Sequence, residues 1–188
     1  MRAAVMARVA LMAALTAVGA QIAIPLYFTP VPFTLQVPMV ILSGLLLGAR
    51  YGALAQVVYL LLGAAGLPVF AQFHGGLGSI LGPTGGYLVS YPFAAAAAGL
   101  AFGVVASGRR GRAIGFGTAF GLLGLVAIYA LGALWLAVQA GLSAGEAVAA
   151  GVLPFVPFDI VKVVLAAVLA AAVAPQISAL GVARRRSA

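Results

Sequence analysis

Apolar residues run through this 188-residue chain in long blocks, and the few polar positions fall between the blocks or at their ends. Residues 5–24 form the first block, with about the 20 residues that a membrane-spanning helix needs. Two shorter blocks follow at 35–49 and 51–65, separated by Gly48, Arg50 and Gly52. Longer ones occupy 83–107, 113–139 and 158–180. Pro25, Pro30 and Pro32 exclude a regular helix from the first gap, so residues 24–34 are expected to be extended or bent. Pro83 and Pro157 each suit the first turn of a helix, where a missing N–H is no loss. The pattern predicts an all-α integral membrane protein, one transmembrane domain over 1–188 with six helices. Gly117-x-x-x-Gly121 in the fifth block suits close helix packing.

The arginines orient these helices. One long helix over 35–65 with Arg50 in its middle would be expensive and would give five spans. Six of the nine arginines would then lie on the side opposite the N-terminus. With six spans, Arg2, Arg8, Arg50, the Arg109, Arg110 and Arg112 loop and the tail Arg184 to Arg186 share one side. The positive-inside rule therefore favours six helices with both ends cytoplasmic. The charged start and the small residues at 17–20 also fit a secretory signal, but the apolar run continues past them. Cleavage there would leave the other five helices in the same orientation.

Composition narrows the function. At 65% hydrophobic and 6% charged, with a mean hydropathy of +1.23, the chain has too little polar surface for a soluble globule. A net charge of +8 in a soluble domain would suggest nucleic acid. Here the arginines edge apolar runs, so they read as topology signals, and the expected partner is membrane lipid, with no nucleic acid. The chain has no cysteine and one histidine, which leaves no basis for a metal or redox cofactor. Lys162, the single lysine, lies between two valines and outside any Gly-Lys-Ser/Thr loop, so ATP energy must come from another subunit. Ser79 sits in Gly78-Ser79-Ile80-Leu81, which is not a nucleophile elbow. A hydrolase would have to combine Ser79 or Thr84 with His74 and Asp159, and no enzyme is expected.

The acids and the lysine point to a site. Leu153-Pro154-Phe155-Val156-Pro157-Phe158-Asp159-Ile160-Val161-Lys162 holds one of the two acids and the lysine, three residues apart on one helical face. An ionisable group within a membrane helix costs roughly 2.5 to 3.5 kcal/mol on insertion scales, so it faces a cavity or a partner. The pair is either a structural salt bridge or the polar floor of a ligand pocket, on which Thr34, Gln36 and Tyr87 can converge. The glycine-spaced apolar loop 66–82 is expected to fold back as a lid. Ala10-x-x-x-Ala14, overlapped by Ala13-x-x-x-Ala17, leaves a small-residue stripe on the first helix. Glu146 reads as a solvated charge near a short helix start.

Three stretches together resemble one family. Val31-Pro32-Phe33-Thr34-Leu35-Gln36, then Gly66-Leu67-Pro68-Val69-Phe70-Ala71 with Gly82-Pro83-Thr84-Gly85-Gly86-Tyr87-Leu88, and finally Leu153 to Lys162, are similar in order and spacing to BioY. BioY is the biotin-binding S component of energy-coupling factor (ECF) transporters. The resemblance implies a six-helix prokaryotic plasma-membrane protein that captures biotin in an outward-facing cavity closed by loops. It implies a transmembrane T component and two cytoplasmic ATPases as partners, with Ala10, Ala14 and Ala17 at the contact with the T component. It also implies that Asp159 and Lys162 contact biotin. Asp159 would accept from a ureido N–H, while Lys162 would donate to the ureido oxygen or to the carboxylate. Phe70, Tyr87 and Phe155 are candidate walls, and His74, with Gln72 and Phe73, either helps hold the carboxylate or lines the lid. An S component for thiamin or riboflavin, or a solitary biotin carrier without ATPases, would share this architecture.

Overall fold

The computed structural model describes the backbone of residues 2–186 and the side chains of residues 3–176. The side chains of Arg2 and of the Arg184 to Arg186 tail thus lie outside the described residues. Helix α1 spans Arg2–Gln21. The proline-bearing segment that follows forms a two-stranded antiparallel pair, β1 (Ala23–Ile24) and β2 (Phe33–Thr34), with Ala23 opposite Thr34. Next come α2 (Gln36–Ala64), a single 3-10 turn at Ala71–Phe73, and the short α3 (Leu77–Leu81). The rest is α4 (Gly85–Gly99), α5 (Phe102–Val105), α6 (Arg110–Ala140), α7 (Ala144–Gly151) and α8 (Val156–Arg186).

Helix α2 is two helices. Gly48 has φ 79° and ψ 170°, a backbone conformation that glycine alone adopts without strain. Gln36 Nε2 lies 2.7 Å from the Tyr59 hydroxyl, whereas a straight helix would separate those residues by about 34 Å at 1.5 Å per residue. The chain therefore reverses at Gly48, and Arg50 sits exposed at the turn. This is the six-span arrangement: α1, the two arms of α2, α4, α6 and α8. Among the described residues, four stretches are long and apolar enough to cross a membrane by length and composition: Ala3–Gln21, Gln36–Ala64, Arg110–Ala140 and Val156–Gln176. The second of these is the folded one, and α4 has only 15 residues.

The bundle is turned inside out relative to a soluble protein. Leu11, Leu15, Val18, Leu123, Val126, Leu134, Leu165 and Leu169 are exposed, while Ala94, Ala95, Ala98, Ala166, Ala167 and Ala170 are buried. Lipid chains are as apolar as leucine, so close backbone approach rather than water exclusion holds membrane helices together. Small residues supply that approach. A Cβ at Gly44 would collide with the carbonyl of Ala95, and one at Gly99 with the backbone of Ala49, so α4 lies directly against the α2 hairpin. Gly117 and Gly121 of α6 seat against Ala167 and Val163 of α8.

The structure corrects the fourth expected helix. It starts at Gly85 rather than residue 83 and ends at Gly99. The next turn is tightened by i→i+3 bonds, from Leu100 N to Ala97 O and from Ala101 N to Ala98 O, before α5 begins. Contact of Gly99 with Ala49 fixes that end, which no local signal in the sequence specifies. Helix α7 opens with a capping box: Glu146 N donates to Ser143 Oγ, and Ser143 N donates to the Glu146 carboxylate. The Ser143 hydroxyl, which donates to Glu146 Oε2 at 2.7 Å, and the Ser143 N–H hold the exposed Glu146 carboxyl below its ordinary pKa.

Replacing Gly44 by valine is expected to lower stability by about 2–3 kcal/mol through overpacking against α4. Gly115→Ala, where a Cβ meets open space, should be neutral or slightly stabilising. Thermal unfolding of the two variants in detergent checks this.

Candidate functional site: a cavity with a charged floor

The ends of α2, α4, α6 and α8 nearest the 66–84 loop enclose a cavity of about 470 Å³. That is within the usual range for small-molecule sites. Its floor is built from α8. Asp159 N bonds Phe155 O in the first turn, which puts Asp159 and Lys162 one turn apart on the inner face. Both are nearly buried, at 4% and 8% exposure.

Every hydrogen of the Lys162 ammonium has a partner direction. Nζ donates to Asp159 Oδ1 at 2.8 Å and to the Thr34 carbonyl at 2.8 Å, and it lies 3.5 Å from the centre of the Phe33 ring. The other carboxylate oxygen, Asp159 Oδ2, accepts from the Tyr129 hydroxyl at 2.8 Å. Asp159 is thus a carboxylate held on both oxygens with acceptor capacity left over, since each oxygen can accept two bonds. A buried ion pair is worth little by itself and needs these further bonds to offset its desolvation.

From the floor a chain of polar contacts runs to the loop. Thr34 Oγ1 donates to Gln36 Oε1 at 3.1 Å, Gln36 Nε2 to the Tyr59 hydroxyl at 2.7 Å, and that hydroxyl to Val69 O at 3.1 Å. The next residue, Phe70, is buried with its ring against Gly63, where a Cβ would collide with it, and edge-on to Tyr59 at 5.5 Å. The far side of the loop is held by Trp135, whose indole N–H donates to Gly82 O at 2.9 Å.

All eight binding residues expected from the sequence line this one cavity: Thr34, Gln36, Phe70, His74, Tyr87, Phe155, Asp159 and Lys162. They come from β2, α2, the loop, α4, the turn before α8 that carries Phe155, and α8 itself. The three alanines expected at a partner contact are elsewhere, on α1. Ala10 and Ala14 are exposed on its surface, whereas Ala17 is turned inward against the core. Sequence reasoning missed Tyr129, which lines the cavity and holds Asp159, and Tyr59, which joins floor to loop. The signal for Tyr129 was present: a hydroxyl in the middle of an apolar span.

The groups do not assemble a hydrolase. Ser79 Oγ donates to Gly75 O at 3.1 Å, and His74 Nδ1 lies 2.9 Å from Ala71 O, so neither activates the other. The arrangement offers acceptors and donors at one end and apolar walls along the rest, which suits binding without chemistry.

A helical membrane bundle that encloses such a cavity has the architecture of a small-molecule-binding component of a membrane transport system. More particularly, the chain belongs to the BioY family, whose model matches residues 1–179. It is 46% identical over 170 residues to the probable biotin transporter BioY of Pyrococcus horikoshii, covering 90% of this chain and 96% of that protein. It is also 46% identical over 157 residues to the biotin transporter BioY of Thermotoga maritima, covering 84% and 88%. Its fold matches a 2.1 Å crystal structure of the S-component for biotin from an ECF-type ABC transporter. That match has a TM-score of 0.82 at 28% identity and covers 92% of this chain and 91% of the other.

Removing one partner of the floor pair should expose its electrostatic cost. Lys162→Met leaves Asp159 buried without its cation and is expected to cost about 3 kcal/mol, most of which returns in the double variant Asp159→Leu/Lys162→Met. Thermal unfolding of the ligand-free proteins reads both.

Proposed function

We propose that this chain is the biotin-capture S component of an ECF-type transporter, holding biotin between the Asp159 floor and the 66–84 loop. The observation that carries this reading is the convergence of eight side chains from six parts of the chain on one cavity. Their chemistry fits the ligand. Biotin has two ureido N–H donors, a ureido carbonyl, an apolar sulfur ring and a carboxylate. Asp159, already oriented by Tyr129 and Lys162, accepts from a ureido N–H. Phe70, Tyr87 and Phe155 wall the ring system. His74, on the loop that lines the cavity, is the candidate partner for the carboxylate.

Transport energy in this reading is supplied by a separate transmembrane T component and two cytoplasmic ATPases, consistent with a lysine that stands in no nucleotide-binding loop. Ala10 and Ala14, exposed on α1, are the contact for the T component, and Ala17 supports that helix from within. No cofactor takes part; biotin is cargo.

Titration of the purified chain with biotin by calorimetry tests the proposal, with desthiobiotin, thiamin and riboflavin as comparators. Tight binding of biotin over the other vitamins is expected; preference for thiamin or riboflavin would reassign the substrate. Asp159→Asn should weaken biotin by about 100-fold, the loss of a charge-assisted hydrogen bond, and, because it leaves Lys162 buried without its counter-ion, the affinity is compared on protein that thermal unfolding shows to be folded. Unchanged affinity would remove Asp159 from the site. Ala14→Leu should bind biotin normally yet fail to co-purify with the T component and ATPases, because a bulky side chain separates closely packed helices. Normal co-purification would remove Ala14 from the contact.

A further inference from the structure

The loop over the cavity contains two consecutive side-chain-bearing residues in the left-handed region, Gln72 and Phe73, each with φ 59°. A Cβ disfavours that region, so such a pair persists only where its surroundings hold it. Burial does not hold it here, since Phe73 is 69% exposed. A side chain from another element does.

That side chain is Gln21, the last residue of α1. Its Oε1 accepts from Phe73 N at 2.9 Å, and its Nε2 donates to Phe70 O at 3.1 Å, with Pro68 O at 3.5 Å. The remaining bond, to Ala17 O at 3.2 Å, fixes the amide to its own helix. One amide therefore ties the loop from Pro68 to Phe73 onto α1. Tyr59 and Gly63 grip the same stretch from α2 through Val69 O and the Phe70 ring. Phe70, Ala71, Gln72, His74 and Gly75 all line the cavity. The part of the loop that covers the site is thus clamped between two helices, and on the α1 side the clamp is a single residue that does not itself line the cavity.

We propose that Gln21 is a positioning residue, a latch by which α1 holds the loop closed over the ligand and sets how long the ligand stays. Displacing α1 from α2 releases the latch and frees the strained turn. The latch rests on the reading of the cavity as the biotin site, but its geometry can be tested without biotin.

Two measurements on the full-length chain in detergent test it, using wild type, Gln21→Ala and Gln21→Glu. In ligand-free protein, hydrogen exchange should show the Phe73 amide losing protection in Gln21→Ala and keeping it in Gln21→Glu, which retains the acceptor. With radiolabelled biotin chased by unlabelled biotin, Gln21→Ala should release the ligand about ten times faster, the effect of one net hydrogen bond. Gln21→Glu, lacking the donor to Phe70 O, should fall between. The ligand-free thermal midpoint should stay near that of wild type, because the hydrogen bonds of Gln21 go to the loop and its own helix. Unchanged exchange at Phe73, or unchanged release from Gln21→Ala, would overturn the latch. Faster release accompanied by an equal loss of thermal stability would do the same, showing general loosening. Failure of the wild type to bind biotin would overturn the substrate assignment instead, and the exchange measurement would still decide the latch.

Discussion

The ammonium of Lys162 is the point on which the arrangement turns. An amine this nearly buried in an apolar bundle must direct its three hydrogens at partners, because an unpaired buried charge is costly. Its partners are the Asp159 carboxylate one turn back, the Phe33 ring and the carbonyl of Thr34, the last 128 residues away in sequence. Satisfying the charge therefore fixes tertiary structure. It draws β2 against α8, sets the start of α2 where Gln36 meets Tyr59, and leaves Asp159 facing the cavity as a carboxylate with acceptor capacity to spare.

The second constraint is length. A helix of 15 residues such as α4 rises about 22 Å, against a hydrocarbon core about 30 Å thick. The arms of α2 are similarly short, since 29 residues are folded in two at Gly48. Short helices beside long ones leave a recess at one end of the bundle, and the 66–84 loop closes it. Backbone without regular structure is tolerated at membrane depth only where protein buries it or it lines a cavity. This loop meets both conditions through Phe70 in the space at Gly63, Trp135 on Gly82 O and Gln21 on Phe70 O.

Much of this was legible in the sequence, and the reasons are specific. The break in α2 was readable because Arg50 separates two apolar blocks, and an arginine cannot sit at mid-membrane cheaply. The floor was readable because Asp159 and Lys162 stand out against their surroundings, and the loop because its glycines and prolines interrupt an apolar run. Tyr129 and Tyr59 were not read as site residues, because their roles depend on the rotation of each helix about its axis. In a soluble helix an apolar stripe reveals that rotation. Helices apolar all round carry no such stripe, and here glycine and alanine contacts set the rotation instead. The same limit explains Ala17, which shares a spacing with Ala10 and Ala14 yet turns inward. The step between α4 and α5 was hidden for another reason: Gly99 meets Ala49, from a distant part of the chain.

These constraints also separate how the cavity recognises a ligand from how it retains one. The charged floor belongs to α8 and β2, elements locked together by the lysine, so its geometry does not depend on the loop: the bonds that orient Asp159 involve Tyr129 and Lys162, and neither comes from residues 66–84. The loop contributes walls and closure, held by single hydrogen bonds and one aromatic ring. The hydrogen-bonded path from the loop to the floor runs from Val69 O through Tyr59 and Gln36, and it ends on Thr34, which meets Lys162 through a backbone carbonyl that β2 already fixes. Opening the loop therefore leaves the recognising groups in place while removing the cover. A capture protein needs that separation: in the proposed reading, selectivity resides in the floor and residence time in a cover that can be released.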